Sequence, residues 1–248
     1  MNRLVKITFS PTGGTQKVTD YIAEGFEGSC IDYSLLKQEE MTFEKEDFVI
    51  FAIPSFSGRV PKTASERIGA LNGNGAKCAI VVVYGNRAYE DTLLELKNVV
   101  KESNFVPVAG AAVLAEHSIA RKVAAGRPDA DDREELKSFG KQIFDQLDRL
   151  KEVEVPGNEP YRAYGAAAME PQPTKQCNGC GICITECPVQ AIDSDYRANP
   201  EVCISCMRCV SICPGQNRKA KEEMQNMICE KLSVFEEVRK ANEFFLVF

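Results

Sequence analysis

The sequence predicts an α/β fold, a doubly wound five-stranded parallel sheet, followed by a small α+β domain. Three observations carry that prediction. Unbroken apolar segments alternate with helical stripes through residues 1–150. The pattern Cys-x-x-Cys-x-x-Cys-x-x-x-Cys-Pro occurs twice between Cys177 and Pro214. The chain has 248 residues, far more than a module built around those cysteines needs, so a larger domain precedes it.

The elements follow in order. Residues 4–9 alternate with β-branched side chains and read as a strand; Val18, Tyr21, Ile22 and Phe26 then fall at helical spacing. Ile31-Asp32-Tyr33 is a weaker second strand. Residues 48–53 and 78–84 are continuous apolar runs, and 106–114 supplies a fifth strand. Leu93, Leu96 and Val100 stripe one later helix, and Leu136, Phe139, Ile143, Leu147 and Leu150 the last. Continuous apolar strands with helices between them imply a parallel sheet covered on both faces. Cys30 and Cys78, in or beside strands, read as small core residues.

Residues 151–176 hold Pro156, Gly157, Pro160, Gly165, Pro171 and Pro173 with little periodicity, the mark of an inter-domain linker that drapes over either domain. Residues 216–248 are expected to form a helical tail, because Met224, Met227, Ile228, Phe235 and Val238 recur near helical spacing before the apolar end Phe244 to Phe248. Such a stripe is expected to bury against its own protein rather than a partner. Cys229 lies on this tail without ligand spacing.

The duplicated pattern runs Cys177, Cys180, Cys183, Cys187-Pro188 and then Cys203, Cys206, Cys209, Cys213-Pro214, an offset of 26 residues that builds a pseudo-twofold module. Soft thiolates, with three of each four in one tight loop, suit iron–sulfur clusters, two [4Fe–4S] being the immediate reading. Zinc usually takes two separated Cys pairs, or Cys with His, around one ion. Disulfides need an oxidising compartment, and the first residues, Met1 to Ile7, contain no apolar run of signal-peptide length. Past each Cys-Pro the halves diverge. Val189-Gln190-Ala191-Ile192 is a small apolar turn able to lie against a cluster, whereas Gly215-Gln216-Asn217-Arg218 is polar. Polar groups alter solvent access and hydrogen bonding at cluster sulfurs, so two clusters of unequal potential are expected.

This window resembles the bacterial two-cluster ferredoxins, from whose pattern the polar second turn departs. The resemblance implies that Cys177, Cys180, Cys183 and Cys213 hold one cluster, and Cys203, Cys206, Cys209 and Cys187 the other.

Charge and hydropathy exclude several classes. The net charge of −6 divides evenly, with 19 basic and 22 acidic side chains in residues 1–150 and 11 and 14 in the rest, so there is no basic field for nucleic acid. No segment approaches the roughly 20 apolar residues of a membrane span, and the cysteines have no lipidation context. A soluble cytoplasmic protein is expected.

In a doubly wound sheet the ligand sits beyond the carboxyl ends of the strands. The loop after the first strand reads Ser10-Pro11-Thr12-Gly13-Gly14-Thr15, hydroxyls and glycines ahead of a helix, where free N–H groups and the helix dipole can hold a phosphate. It lacks the Lys of a Gly-Lys-Ser/Thr loop and the pattern G-x-G-x-x-G, so neither ATP nor NAD is favoured. An ordinary helix start capped by Thr15 is the plain alternative. Residues 54–61, with Ser55, Phe56, Ser57, Gly58 and Arg59, offer an aromatic plate among small residues. Residues 84–89, with Tyr84, Gly85, Asn86, Arg87 and Tyr89, offer two more aromatics, an amide and a guanidinium. Each has a plain alternative: a strand-end Tyr can lid the core, Gly85-Asn86 is a turn pair in its own right, and Arg59 and Arg87 can be solvated loop charges. His117, between Glu116 and Ser118, reads first as a turn residue and otherwise as a donor to a bound ring.

Residues 3–150 resemble flavodoxins, whose phosphate loop has the form Ser/Thr-x-Thr-Gly-x-Thr. That implies FMN, its phosphate on Ser10, Thr12, Gly13, Gly14 and Thr15 and its ring between the loops 54–61 and 84–91. The chain has no Trp, so ring stacking falls to Phe56, Tyr84 or Tyr89, or to none of them. As a whole the chain resembles flavodoxin–ferredoxin fusion proteins: residues 1–150 a flavodoxin-like FMN-binding domain, 151–176 a linker, 177–215 a ferredoxin-like core and 216–248 the tail. The resemblance implies an intracellular electron carrier that relays electrons between FMN and two clusters and exchanges them with redox proteins of ferredoxin or reductase type. Two other classes stay open. An FMN-dependent reductase of a small substrate needs an open, partly basic pocket over the ring; an iron–sulfur redox sensor needs no FMN.

Overall fold

Apolar side chains on both sides of the central strands organise the first domain. In β3 (Phe48–Pro54), Val49, Phe51 and Ile53 enter one core while Phe48, Ile50 and Ala52 enter another, and β4 (Lys77–Tyr84) divides in the same way, Ile80 and Val82 against Ala79 and Val81. Burying each large apolar side chain contributes roughly 1.5–3 kcal/mol, so a strand filling two cores is fixed in place by both. The computed structural model describes residues 3–165 and 169–248; residues 1 and 2 of the expected first domain and residues 166–168 of the expected linker lie outside the described residues.

Around these strands lie β1 (Leu4–Thr8), β2 (Cys30–Ser34) and β5 (Val106–Leu114). Helix α1 (Gly14–Ala23) and the later α4 (Ala130–Gln146) cover one face through Val18, Ile22, Leu136, Phe139 and Ile143. Helices α2 (Lys62–Gly69) and α3 (Thr92–Glu102) cover the other through Ala64, Ile68, Leu93, Leu96 and Val100. The parallel order β2-β1-β3-β4-β5 is that of flavodoxin-like sheets, with the switch point between β1 and β3.

The sheet does not stop at the five strands expected. A sixth strand, β8 (Glu243–Leu246), pairs antiparallel with β5, Ala109 opposite Leu246 through Ala112 opposite Glu243. The tail expected to be helical is therefore helix α7 (Glu222–Leu232), a 3-10 turn over Ser233–Phe235 and this strand. The physical reason lies in β5, whose run is apolar on both faces and would leave an exposed apolar edge. Phe244 packs on Phe139 of α4 with ring centroids 4.7 Å apart. Asn242 locks the entry to the strand: its Oδ1 accepts from Leu114 N at 3.1 Å and its Nδ2 donates to Asp132 at 2.9 Å.

The cysteine-rich domain keeps the 26-residue repeat in its backbone. Short helices α5 (Ile182–Thr185) and α6 (Arg208–Ser211) start at equivalent positions. Left-handed residues recur in register too: Gly179 with Ser205, Gly181 with Met207, Gln190 with Gln216. Two-residue strands β6 (Gln172–Pro173) and β7 (Arg218–Lys219) pair antiparallel and close the module. Among the described residues no helix is long and apolar enough to cross a membrane.

Candidate functional site

The loop after β1 enters α1 through Gly13, whose φ of +93° a side chain rarely adopts. The N–H groups of Gly14 and Thr15 at the start of α1 have no carbonyl one turn below them, so they stay available to an anion. Ser10 Oγ accepts from Gln16 N at 2.9 Å, which spends that hydroxyl on shaping the loop. Lys17 points away, to the Pro128 carbonyl at 2.8 Å.

Thr12, Gly14 and Thr15 open onto a cavity of about 340 Å³ that runs past Ser55, Phe56 and Ser57 after β3 and Tyr84 and Gly85 after β4. Phe56 and Arg59 close a two-residue hairpin with Ser57 and Gly58 both at positive φ. Ser55 Oγ sits 2.7 Å from Thr92 Oγ1 at the start of α3. Burial pushes the Tyr84 hydroxyl up to about 12, with Glu243 adding to the rise. A phosphate cradle joined to an apolar slot with Phe56 and Tyr84 on its wall fits a flavin nucleotide.

Three residues expected at the ring are turned elsewhere. Asn86 is buried and its Nδ2 donates to the carbonyls of Phe235 and Val238 in the tail. Arg87 pairs with Glu90 at 2.8 Å, and Tyr89 donates to Glu243 at 2.9 Å while packing edge-on against Tyr84. Arg59 is also spent. It forms a two-pronged pair with Glu95, Nε to Oε2 at 2.8 Å and Nη2 to Oε1 at 2.7 Å, between the rings of Tyr161 and Tyr164.

His117 does line the cavity. Its Nδ1 accepts from Ile119 N at 3.2 Å and Ala120 N at 3.0 Å, which leaves the neutral ring's proton on Nε2. Burial, then the Arg87 charge, holds it below the usual imidazole range. The rest of the wall comes from beyond the flavodoxin-like sheet: Tyr164, Gly165 and Met169 from the linker, Ile204, Ser205 and Cys206 from the cysteine-rich domain, and Ile228 from α7. Of these, Ile228 belongs to the tail's apolar stripe, Tyr164, Gly165 and Met169 to the segment expected to drape over either domain, and Cys206 to the repeated cysteine pattern, while Ile204 and Ser205 carry no sequence signal.

A second, smaller cavity of about 20 Å³ is lined by Cys187, Cys203, Cys206 and Cys209 together. Among the described residues no three Cys, His, Asp or Glu side chains converge as ligands of a single ion do; these four cysteines stand around a void. Cys187, ahead of Pro188, lines this void beside the three cysteines of the other half. On the opposite side, Asn217 binds Thr174 and Gln176 next to Cys177, and its N–H donates to Cys213 Sγ at 3.2 Å. The repeat partner of that bond is Ala191 N to Cys187 Sγ at 3.3 Å. N–H···S bonds of this kind stabilise anionic sulfur, so the donor sets fit clusters. Burial pushes the free Cys206 thiol up to about 12 and also raises Cys203 and Cys209, with Arg218 opposing it at both. Ligand binding there has to displace protons.

Residues 176–217 match the 4Fe-4S dicluster domain family. The chain is 40% identical over 50 residues to Ferredoxin-2 of Chlorobaculum tepidum, a match covering 16% of this chain and 81% of that protein. Among solved structures it is similar to a flavodoxin of Streptococcus pneumoniae TIGR4 (17% identity, 58% of this chain, 99% of that one, TM-score 0.41). It is similar also to a flavodoxin from the domain Archaea (18% identity, 59% and 99%, TM-score 0.40).

Proposed function

Since residues 176–217 make this chain a member of the ferredoxins with a 4Fe-4S dicluster domain, we propose that it is an electron-transfer protein relaying electrons between bound FMN and two [4Fe–4S] clusters. FMN exchanges electrons singly or in pairs and each cluster exchanges one, so together they connect two-electron with one-electron partners. One observation carries the reading: Cys206 lines both the flavin-sized cavity and the void it shares with Cys187, Cys203 and Cys209. Thr12, Gly13, Gly14 and Thr15 would hold the phosphate, with Phe56 and Tyr84 along the ring. Cys187, Cys203, Cys206 and Cys209 would hold the cluster nearer the flavin. Cys177, Cys180, Cys183 and Cys213 would hold the farther one, where exposed Cys180 and Ile182 offer a port to ferredoxin- or reductase-type partners. Keeping the centres on one chain replaces diffusive encounter by a high effective concentration.

The wall composition favours a relay over reduction of a small anionic substrate. Arg59 and Arg87 are committed to Glu95 and Glu90, and His117 is neutral, so among the described residues Lys62 is the cation on a wall that also carries Glu116.

Anaerobic purification with metal, sulfide and flavin counted on one sample tests the proposal. About eight irons and one FMN per chain are expected; zinc in place of iron, or no flavin uptake on reconstitution, defeats it. The phosphate cradle has its own test. Valine at Gly13 must adopt a φ of +93°, a strain of about 1–3 kcal/mol, so Gly13→Val is expected to weaken FMN binding by about tenfold or more. Riboflavin, which has no phosphate, should lose much less in the same fluorescence titration; equal losses would remove the cradle's role.

A further inference from the structure

Arg218 heads the fully buried side chains by volume, with 2% of its surface exposed. It stands 26 residues after Ile192, so the repeat places a buried apolar side chain at one position and a guanidinium at its twin. The arginine carries a permanent charge that the protein cannot neutralise by deprotonation. Its Nη2 donates to the Pro171 carbonyl at 2.6 Å, and its Nη1 to the Tyr196 carbonyl at 2.7 Å and to Cys183 Sγ at 3.5 Å. Cys209, of the other ligand set, packs against the buried apolar cluster that includes Cys183, and the Arg218 charge acts on its sulfur too. Its Nε is buried with no partner among the described residues.

A buried cation against two neutral carbonyls is an incomplete arrangement, because taking charge out of water costs far more than such bonds return. The anions able to complete it are the sulfurs of Cys183 and Cys209, one from each ligand set. We infer that Arg218 is a counter-charge shared by the two clusters, making both easier to reduce; the inference rests on reading Cys177 to Pro214 as two [4Fe–4S] sites. Adding one electron to a cluster adds one negative charge. A fixed positive charge at short range in a poorly solvated site, and an N–H donor on a ligand sulfur, both favour the more negative state. The polar turn of one half thereby acts on both centres.

The test is a redox titration of the full chain, purified anaerobically, with iron and sulfide counted in every sample. In Arg218→Gln each cluster's balance between oxidised and reduced forms is expected to move at least about tenfold toward oxidised, which for one electron is about 59 mV. Arg218→Lys, which keeps the charge, is expected to restore most of that. Fully loaded Arg218→Gln with unmoved potentials overturns the inference, as does an equal fall in Arg218→Lys. If Arg218→Gln takes up no iron, the wild-type chain labelled with 15N-arginine decides: a guanidinium resonance that shifts or broadens on cluster reduction supports the contact, and none responding overturns it. Wild-type protein without iron and sulfide overturns the cluster reading itself, and this inference with it.

Discussion

Cys206→Ser is expected to lose about half of the iron, from about eight to about four atoms per chain, and to keep its flavin. Serine is a hard, weakly acidic ligand, and a cluster left with three thiolates in this position is not retained. The residues around the phosphate and along the ring are untouched, so FMN stays. What distinguishes this variant from any other ligand change is position, since Cys206 is the cysteine on the flavin-side wall. With the nearer cluster gone, flavin reduction by a reduced ferredoxin supplied from outside is expected to slow by about a hundredfold or more, the order of advantage that tethering gives over chance encounter. Cys180→Ser supplies the contrast. It removes a comparable amount of iron from the exposed end, and flavin reduced directly should still equilibrate with the remaining cluster. Stopped-flow spectra of the two variants separate these cases, and identical behaviour would contradict the order flavin, Cys206 cluster, Cys180 cluster.

How far the sequence could be read depends on whether a residue's role is set by its neighbours along the chain. Strands β3, β4 and β5 were legible because burial on two faces leaves an unbroken apolar run. Strand β2 was faint, as only Tyr33 of its five residues is buried. Helix α2 left no stripe to detect, burying only Ala64 and Ile68 in eight residues. Strand β8 was hidden because its partner β5 lies some 130 residues upstream, and Phe244 to Leu246 read equally well as the end of a helix. The cysteines were legible in spacing, because the repeated Cys-x-x-Cys-x-x-Cys-x-x-x-Cys-Pro pattern is local. Asn86, Arg87 and Tyr89 were not. A loop's place in a doubly wound sheet says that its residues are near the ligand, and says nothing of which way each points. Here the tail, which occupies that side, takes Asn86 and Tyr89 through Phe235, Val238 and Glu243. The same holds for the cavity wall drawn from Met169, Ile204, Cys206 and Ile228, since contacts between domains leave no period behind.

Glu95→Ala is expected to be the most destabilising polar substitution near the cavity. One carboxylate accepts from Arg59 Nε and Nη2, from Val60 N at 2.8 Å and from the Tyr164 hydroxyl at 3.2 Å, and both ionic side chains are largely buried, at 11% exposed for Arg59 and 5% for Glu95. Deleting the carboxylate strands a guanidinium between Tyr161 and Tyr164 with no anion against it. Breaking a buried pair from one side costs about 3–5 kcal/mol, which for a domain of this size lowers the melting temperature by about 10 °C. Arg59→Ala should cost less than that. It leaves Glu95 still bonded to Val60 and Tyr164, and a carboxylate can take a proton where a guanidinium cannot lose one. In the double variant Glu95→Ala with Arg59→Ala, the stranded charge is gone, so part of the stability should return. A double variant no more stable than Glu95→Ala would mean that lost packing, and not the unpaired charge, sets the cost. The pair also anchors residues 54–61 and Tyr164, two parts of the cavity wall, so FMN affinity should fall in Glu95→Ala while the iron content stays at its full value. Loss of iron alongside flavin would show instead that the two domains unfold as one unit.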